Sequence, residues 1–282
     1  MRRQIVNAFL FLIAIGNVLS SCNTKMNKVN GDIEFDSLHI NRTAHLFADS
    51  AKPACNLSVR LAYISHADRQ GMADSINALV LSMCFDTTYA CLPPQDAASE
   101  YAQNYVDNYR KDLEPVYAED IKDTDGDGNV GAWYSYYKNI ECGVERYVNQ
   151  LLTFRMHYEE YTGGAHGIYA TTFLNINLAN LSPIHLNDLF KADCANELTE
   201  LLWKQLALDN NVPGRKELEE IGFGSVGDLV PTDNFCIGQD GITFYYNVYE
   251  IAPYVMGPSA ITLPYESISH LLKESDLLQN LK

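Results

Sequence analysis

Residues 133–178 form four consecutive segments rich in tyrosine, valine, phenylalanine and threonine, and no other stretch constrains the fold as strongly. These residue types fit a pleated, half-buried surface and therefore favour strands. The segments cover residues 133–140, 143–150, 151–160 and 168–178. Their close succession predicts an antiparallel meander at the centre of the chain.

Apolar residues at helical spacing flank this strand-rich stretch on both sides. Met72, Ile76, Val80 and Met83 form one such stripe, and Pro264 stands at the favoured first position of another helix. The predicted helices cover 72–83, 93–113, 194–208 and 264–272, and further strands are predicted at 55–65, 241–255 and 260–263. Because helices and strands are segregated along the chain, we predict an α+β fold with antiparallel sheets in two small, tightly associated subdomains.

The N-terminus has the pattern of an export signal. Arg2 and Arg3 precede an apolar run at 5–15, which is too short to span a bilayer comfortably. The run leads to Leu19-Ser20-Ser21-Cys22, which resembles a bacterial lipobox. This resemblance implies a signal peptide over 1–21 and a lipid on Cys22. We assign 22–48 to a polar tether and expect the protein in the cell envelope, anchored to a bacterial membrane and either periplasmic or surface-exposed.

The chain is strongly acidic. It carries 20 Lys and Arg against 36 Asp and Glu, a formal net charge of −16. Removing the signal, which holds Arg2 and Arg3 and no acid, lowers this charge by two, to −18. Nucleic acids and anionic membrane surfaces require Lys/Arg patches, so we expect neither as a partner. The negative charge is compatible with a soluble domain that only its lipid holds at a membrane, or with binding to a basic partner. The alternative is that it serves solubility only.

Six cysteines remain once Cys22 is assigned to the lipid, and an even number in an exported chain favours disulfides. Cys84 and Cys91 bracket a short loop between two predicted helices and are paired on that ground. Elimination then gives the pairs Cys194–Cys236 and Cys55–Cys142. The spacing fits no zinc motif.

An acidic, glycine-containing segment at 123–129 resembles the first half of an EF-hand calcium loop. Asp123, Asp125 and Asp127 occupy loop positions 1, 3 and 5. Position 12, which normally provides a bidentate glutamate, is Tyr134, and no flanking helices are expected because a β pattern follows. A Ca²⁺ site and a plain acidic turn both remain open.

The segment Tyr161-Thr162-Gly163-Gly164-Ala165-His166-Gly167 is the most pointed local motif. Three glycines around one histidine suggest close backbone approach. His166 could be a base, or a metal ligand together with His157 and Glu159. A tight β connection with a hydrogen-bonded histidine and a partner-contact loop are the alternatives. The sequence offers no nucleophile with a fixed partner.

A second glycine pattern, at 222–227, formally reads GxGxxG. The dinucleotide-binding version must follow a strand and open a helix within a βαβ unit. This one follows a charged stretch and leads to Asp228-Leu229-Val230-Pro231. We therefore interpret it as a flexible loop and expect no nucleotide cofactor.

Two motifs carry a family resemblance. The segment at 161–167 resembles the YTGGAHG signature of RsiV-like extracytoplasmic domains, and so does 244–257, FYYNVYEIAPYVMG, followed by Leu263-Pro264-Tyr265. This resemblance implies an RsiV-like domain over 131–282. The region 49–130 is similar to the domain that precedes it in such proteins and in PdaC-type peptidoglycan deacetylases. No deacetylase domain is found in this chain.

The best understood member of the RsiV-like family binds lysozyme through its outer domain, and most lipoprotein members have no assigned activity. The resemblance therefore implies a non-catalytic binding module for a lysozyme-like cell-wall hydrolase or for cell-wall glycan (peptidoglycan). A structural or assembly role and a hydrolase acting on cell-wall material are the alternatives. Glycine-containing loops at strand ends are the expected contact sites. The candidate contact residues are Thr162, Gly163, Gly164, His166, Gly167, Met256, Gly257 and Ser259.

Overall fold

The computed structural model describes residues 33–123 and 132–274. The strands within these residues are β1 (Ile33–His45), β2 (Ala54–Ala67), β3 (Tyr136–Val148), β4 (Leu151–Tyr161), β5 (Ile168–Asn177), β6 (Ser182–Pro183), β7 (Phe235–Ile237), β8 (Gly241–Tyr246) and β9 (Ser259–Pro264). The helices are α1 (Met72–Cys84), α2 (Pro94–Asp123), α3 (Leu186–Leu189), α4 (Ala195–Asp209), α5 (Arg215–Ile221) and α6 (Tyr265–Ile268). Cys22 lies outside the described residues.

The strands form two sheets, which confirms the predicted α+β class. One sheet has six strands in the order β1-β2-β3-β4-β5-β6, and the other has three in the order β7-β8-β9. The meander β3-β4-β5 is antiparallel, as predicted, but β2 and β3 are parallel neighbours. The two strands predicted at 133–140 and 143–150 are one strand, β3. The exposed Gly143 interrupts the run of strand-forming residue types, but the pairing with β4 continues through it.

The six-stranded sheet extends across the boundary that we predicted at residues 130/131. Strands β2 and β3 come from opposite sides of it and pair from Cys55–Tyr136 to Leu61–Cys142. Helices α1 and α2 connect them, as a parallel pair requires. The first structural unit therefore runs from β1 to β6, and the second contains α3 to α6 and β7 to β9.

The predicted tether over 22–48 is wrong for its described part. Residues 33–45 form β1, which pairs with β2 along its whole length, and a short 3-10 turn follows at Leu46–Ala48. Leu38 and Ile40 of β1 pack against the core. The polar residues that alternate with them, Ser37, His39 and Asn41, are exposed, so the composition of this segment resembled a linker.

Helices α1 and α2 cover one face of the six-stranded sheet. Leu57, Val59 and Leu61 of β2 are buried against Ile76 and Val80 of α1. The opposite face carries the alternate residues of the same strands, which are polar and largely exposed in β1, β2 and β3. The first unit therefore buries one side of its sheet and presents the other to solvent.

The second unit has its own core, in which α4 packs against the three-stranded sheet. Trp203 and Leu206 of α4 are buried with Phe235, Phe244 and Ile261. Helix α4 confirms the prediction at 194–208. Two predicted elements are shorter than expected, since β8 ends at Tyr246 and not at 255, and α6 ends at Ile268 and not at 272.

Three asparagines, which we call the interface asparagines (Asn175, Asn234 and Asn247), join the two sheets. The Asn234 side chain accepts a hydrogen bond from the Phe173 backbone N–H (3.0 Å) and donates one to the Thr171 carbonyl (2.9 Å). Asn247 accepts from the Thr171 N–H at 2.7 Å, and Asn175 donates to the Phe235 carbonyl at 2.6 Å. Asn234 and Asn247 satisfy backbone groups of β5 that β6 does not pair, and Asn175, on β5 itself, satisfies a carbonyl of β7.

All six described cysteines are free thiols, so none of the three predicted disulfides is present. Cys55 and Cys142 are displaced by six residues in the β2–β3 register, about 20 Å, far beyond bonding distance. Cys84 is hydrogen-bonded to Cys142, and this bond and burial raise its pKa well above the ordinary value. Cys91 is exposed. Cys194 precedes α4, and Cys236 lies in β7.

Over the described ranges, the helices include none with the length and apolar composition needed to cross a membrane.

Candidate ligand-binding surface

The loop at 162–167 connects β4 to β5, and its glycines have separate structural reasons. Gly164 has φ of 99°, a conformation that L side chains rarely adopt. A Cβ on Gly163 would lie 3.0 Å from the Trp133 carbonyl oxygen, and one on Gly167 would lie 2.9 Å from the Glu160 carbonyl oxygen. The loop is therefore held close to the backbone of its neighbours.

His166 packs against two tyrosines from a distant part of the chain. Its ring stacks on Tyr254 with centroids 4.1 Å apart, and Tyr249 lies 6.4 Å away in a similar orientation. Nδ1 donates a hydrogen bond to the Gly167 carbonyl (2.9 Å), which leaves Nε2 to accept one from the Tyr249 hydroxyl (3.3 Å). In this arrangement both ring nitrogens are engaged.

His157 and Glu159 do not join His166. They lie on β4, where His157 Nδ1 is 2.9 Å from Thr171 Oγ1 and Nε2 is 3.5 Å from the Glu159 carboxylate. The Tyr169 ring lies 6.4 Å from His157 and 5.8 Å from Tyr254, the tyrosine on which His166 stacks. Within 33–123 and 132–274, three or more His, Cys, Asp or Glu residues nowhere form a group that could hold a metal ion.

The loop at 247–258, which follows β8, completes this surface. Tyr254 Oη donates a hydrogen bond to the Gly167 carbonyl at 3.0 Å, so the two loops are directly connected. Tyr249 is 45% exposed and Val255 is 89% exposed. We call His166, Tyr169, Tyr249 and Tyr254 the aromatic cluster. It supports an apolar side chain, Val255, that projects into solvent.

The glycine pattern at 222–227 supports the same loop. The Gly224 N–H donates to the Ile251 carbonyl at 2.7 Å, and a Cβ on Gly227 would lie 2.3 Å from the Glu250 carbonyl oxygen. The segment is a loop, as we interpreted it, but it is packed closely against the 247–258 loop. Its glycines allow two backbones to pack together, which fixes the loop that carries Val255.

The structure brings some predicted contact residues together and separates others. Gly163, Gly164, His166 and Gly167 lie at the aromatic cluster, with Thr162 exposed beside them, and Gly257 approaches Tyr169. Met256 is half-buried and packs against the second core. Ser259 begins β9 and pairs with Tyr246. Tyr249, Tyr254 and Val255 lie within the 244–257 motif, but the sequence analysis did not name them as contact residues, because it looked for contacts only at glycine-containing turns.

Tyr137 and Tyr161 extend this surface toward the exposed face of the large sheet. Trp133 is 62% exposed, and its carbonyl oxygen faces Gly163. Tyr137 is 39% exposed, and its ring lies nearly parallel to that of Tyr161, with centroids 6.1 Å apart. Tyr161 Oη donates to the Gly164 carbonyl at 2.9 Å. The 162–167 loop thus lies between two aromatic groups.

Two residues next to this region, Tyr134 and Lys138, have shifted pKa values. A hydrogen bond to the Asp120 carboxylate, together with burial, raises the pKa of Tyr134 to about 12. Burial lowers the pKa of Lys138, but Tyr101 and Glu160 outweigh it and raise the pKa overall. Both groups keep their usual protonation state at neutral pH.

The proposed calcium ligands lie at the edge of the described residues. Asp125 and Asp127 are outside them, and of Asp123 only its place at the end of α2 is described. A helix therefore does precede the acidic segment, contrary to the expectation that no helix flanks it. Calcium binding there stays a prediction.

Comparison with known proteins relates the chain to families of known sequence and fold. The model of the DUF3298 family, a protein of unknown function, matches residues 187–266, which belong to the second unit. A DUF3298 family structure from Bacteroides fragilis NCTC 9343 is 48% identical, covers 92% of this chain and 99% of that one, and has a TM-score of 0.85. A DUF3298 family structure from Pseudomonas aeruginosa PAO1, 15% identical with a TM-score of 0.56, covers 87% of this chain and 95% of that one and shows the fold alone.

A more distant similarity is to a cell-wall enzyme. The chain is 22% identical over 138 residues to the peptidoglycan-N-acetylmuramic acid deacetylase PdaC of Bacillus subtilis strain 168. The match covers 48% of this chain and 29% of that enzyme. The chain therefore spans less than a third of the deacetylase. This match confirms the predicted relation to PdaC as a distant sequence similarity over part of the chain, and the RsiV-like resemblance stays a prediction.

Proposed function

Because the chain belongs to the DUF3298 family, whose function is unknown, we propose its role from its own surface: a non-catalytic binding module of the cell envelope that holds a lysozyme-like cell-wall hydrolase. The aromatic cluster and Val255 form the contact surface. The lipid on Cys22 attaches the module to a membrane. The distant similarity to a peptidoglycan deacetylase supports a cell-wall setting.

The observation that carries this proposal is the exposure of Val255 on a fixed loop. The side chain is 89% exposed, while its neighbour Tyr254 is stacked on His166 and hydrogen-bonded to the Gly167 carbonyl. Burying an exposed apolar side chain is favourable, and a loop that is already ordered loses little entropy on binding. A projecting, rigid loop suits insertion into the cleft of a partner protein.

Charge favours a basic partner. The mature chain carries −18, and lysozymes are typically strongly basic. Opposite charges accelerate encounter but give little specificity, and salt screens them beyond about 8–10 Å. Apolar contact at Val255 must therefore provide the specificity, and the binding should persist at moderate salt.

Calorimetric titration of the protein with a purified lysozyme tests this function. Val255→Asp should weaken a saturable complex at least about tenfold, the equivalent of about 1.4 kcal/mol. His166→Ala should also weaken it, because the stack under Tyr254 is lost. Val116→Asp is the matched control: it makes the same change at a half-exposed position of α2 and should bind as wild type does.

The two valine variants separate specific binding from charge attraction because they alter net charge equally. Equal affinity of Val255→Asp and Val116→Asp would reject the loop as the contact site. Absence of any saturable complex between the wild-type protein and lysozyme at moderate salt would reject the hydrolase as the ligand. A structural role in the envelope would then be the better explanation.

A further inference from the structure

The exposed face of the six-stranded sheet carries ordered rows of polar side chains that cross the strands. The β1–β2, β2–β3 and β3–β4 registers place Thr43, Asn56, Tyr137 and Tyr161 in one row. Thr43 Oγ1 donates to Asn56 Oδ1 at 2.8 Å, and Tyr137 and Tyr161 are the parallel aromatic pair. One end of the row is therefore amide and hydroxyl, and the other is aromatic.

A second row lies beside the first at the spacing of two residues along each strand. It contains Asn41, Ser58 and Asn139, which are paired in the same registers, and it ends at Glu159 of β4, which pairs with Asn139. Asn41 and Asn139 are exposed, and Ser58 is half-buried. Together the two rows present neutral hydrogen-bonding groups on three adjacent strands, which are separated by about 4.8 Å.

The charged groups on this face are paired with one another. Arg60 forms a 2.6 Å salt bridge with Glu141, its neighbour on β3. On β4, the Glu159 carboxylate lies 3.5 Å from His157 Nε2. A strongly charged ligand would find no cluster of one sign here, because each of these charges has an opposite or polar partner. The face suits a neutral ligand that is rich in hydroxyl groups.

We propose that this exposed sheet face binds a neutral polysaccharide chain laid across β1 to β4. A pyranose ring has apolar C–H faces and a polar hydroxyl edge. The C–H faces stack on Tyr137 and Tyr161, while the hydroxyls exchange hydrogen bonds with the Asn and Ser side chains of the two rows. A chain that crosses the strands meets a new polar side chain at each strand.

This site adjoins the proposed hydrolase contact at the 162–167 loop but does not depend on it. The sheet face belongs to the first unit, while Val255 lies on a loop of the second. A glycan on the sheet face and a protein on the Val255 loop would use different ligands and different residues. Variants at the two sites therefore test the two proposals independently.

Calorimetry with the full chain and soluble, neutral β-linked hexasaccharides of N-acetylglucosamine and glucose tests the sheet face. Wild type should bind at least one of them. Tyr137→Ala and Asn139→Asp should each weaken binding at least about tenfold, by loss of a stacking face and by an unpaired charge. Asn211→Asp is the matched control, since it makes the same change at an exposed position after α4 and should bind normally. Val255→Asp should also bind the sugars normally.

Four outcomes overturn the proposal. They are absence of hexasaccharide binding by the wild-type protein, binding by Tyr137→Ala and Asn139→Asp that equals that of wild type, loss of sugar binding in Val255→Asp alone, and tighter binding of an anionic polysaccharide than of the neutral ones. Circular dichroism of each variant establishes that it is folded, and Asn139→Asp, at an exposed position, keeps the test valid if Tyr137→Ala unfolds.

Discussion

The contact between the two sheets rests on Asn234, and its removal should have a large and predictable effect on stability. The side chain makes hydrogen bonds to the Phe173 N–H (3.0 Å), the Thr171 carbonyl (2.9 Å) and the Tyr245 carbonyl (3.2 Å). In Asn234→Ala the Thr171 carbonyl still accepts a hydrogen bond from Asn247, but the Phe173 N–H loses its asparagine partner. Lost bonds cost about 0.5–1.5 kcal/mol each and a buried group without a partner about 1–3 kcal/mol. We therefore expect a destabilisation of about 2–4 kcal/mol.

Urea unfolding followed by two probes measures this effect. Far-ultraviolet circular dichroism reports the whole fold, and the fluorescence of the buried Trp203, measured with Trp133 replaced by Phe in both proteins, reports the second unit. In Asn234→Ala both midpoints should fall, and the two curves should separate because the sheets are less tightly coupled. Asn234→Asp should be destabilised as well, since a carboxylate would replace the amide group that donates to two carbonyls.

Asn41→Ala provides the control, because Asn41 lies exposed on the edge strand β1 and its replacement should change stability by no more than about 0.5 kcal/mol. If Asn234→Ala unfolds within that same margin of wild type, with coincident curves from both probes, the interface asparagines do not couple the sheets. The two units would then associate through their apolar contacts alone.

Three further predictions concern the backbone, the phenols and the thiols. Gly167→Ala should lower the free energy of unfolding by about 1–3 kcal/mol in thermal melts, because its Cβ would lie 2.9 Å from a backbone oxygen; an unchanged melting temperature would contradict this. Tyr134 should titrate near pH 12, so the stability from its neutral phenol is complete below pH 10 and is lost as the pH rises through about 12. Tyr134→Phe should therefore lose less stability in that interval, and an identical alkaline profile would argue against the Asp120 bond. In native reduced protein, iodoacetamide should modify the exposed Cys91 well before the buried Cys84, as peptide mass spectrometry can show; equal rates would refute the assigned burial.

Local patterns were sufficient wherever a single element buries one face. The apolar stripe at Met72, Ile76 and Val80 predicted α1 because side chains at helical spacing share a face whatever they pack against. The same reasoning predicted α4 and the β3-β4-β5 meander. Strand β1 was missed, because it is an edge strand whose polar side chains cover most of one face, and composition alone does not distinguish it from a linker.

Local sequence patterns do not show which distant segments pair with each other. Residues Cys55 and Tyr136 are neighbours in a parallel pair, and this register alone shows that Cys55 and Cys142 cannot bond. The even number of cysteines suggested disulfides, but the distance between two thiols depends on the register and the helix packing. The domain boundary failed for the same reason, since a sheet can recruit strands from both sides of a long helical connection.

The sequence by itself determined the glycine loop at 162–167, because left-handed φ and close backbone approach are local demands that glycine meets. It also determined the acidic charge and the amphipathic elements from which the α+β class follows. Only the tertiary structure decided that Tyr249 and Tyr254 pack on His166, more than 80 positions earlier in the chain. It also decided which sheet face stays open. Both outcomes depend on how separate elements dock, and docking is set by complementary surfaces that no single segment contains.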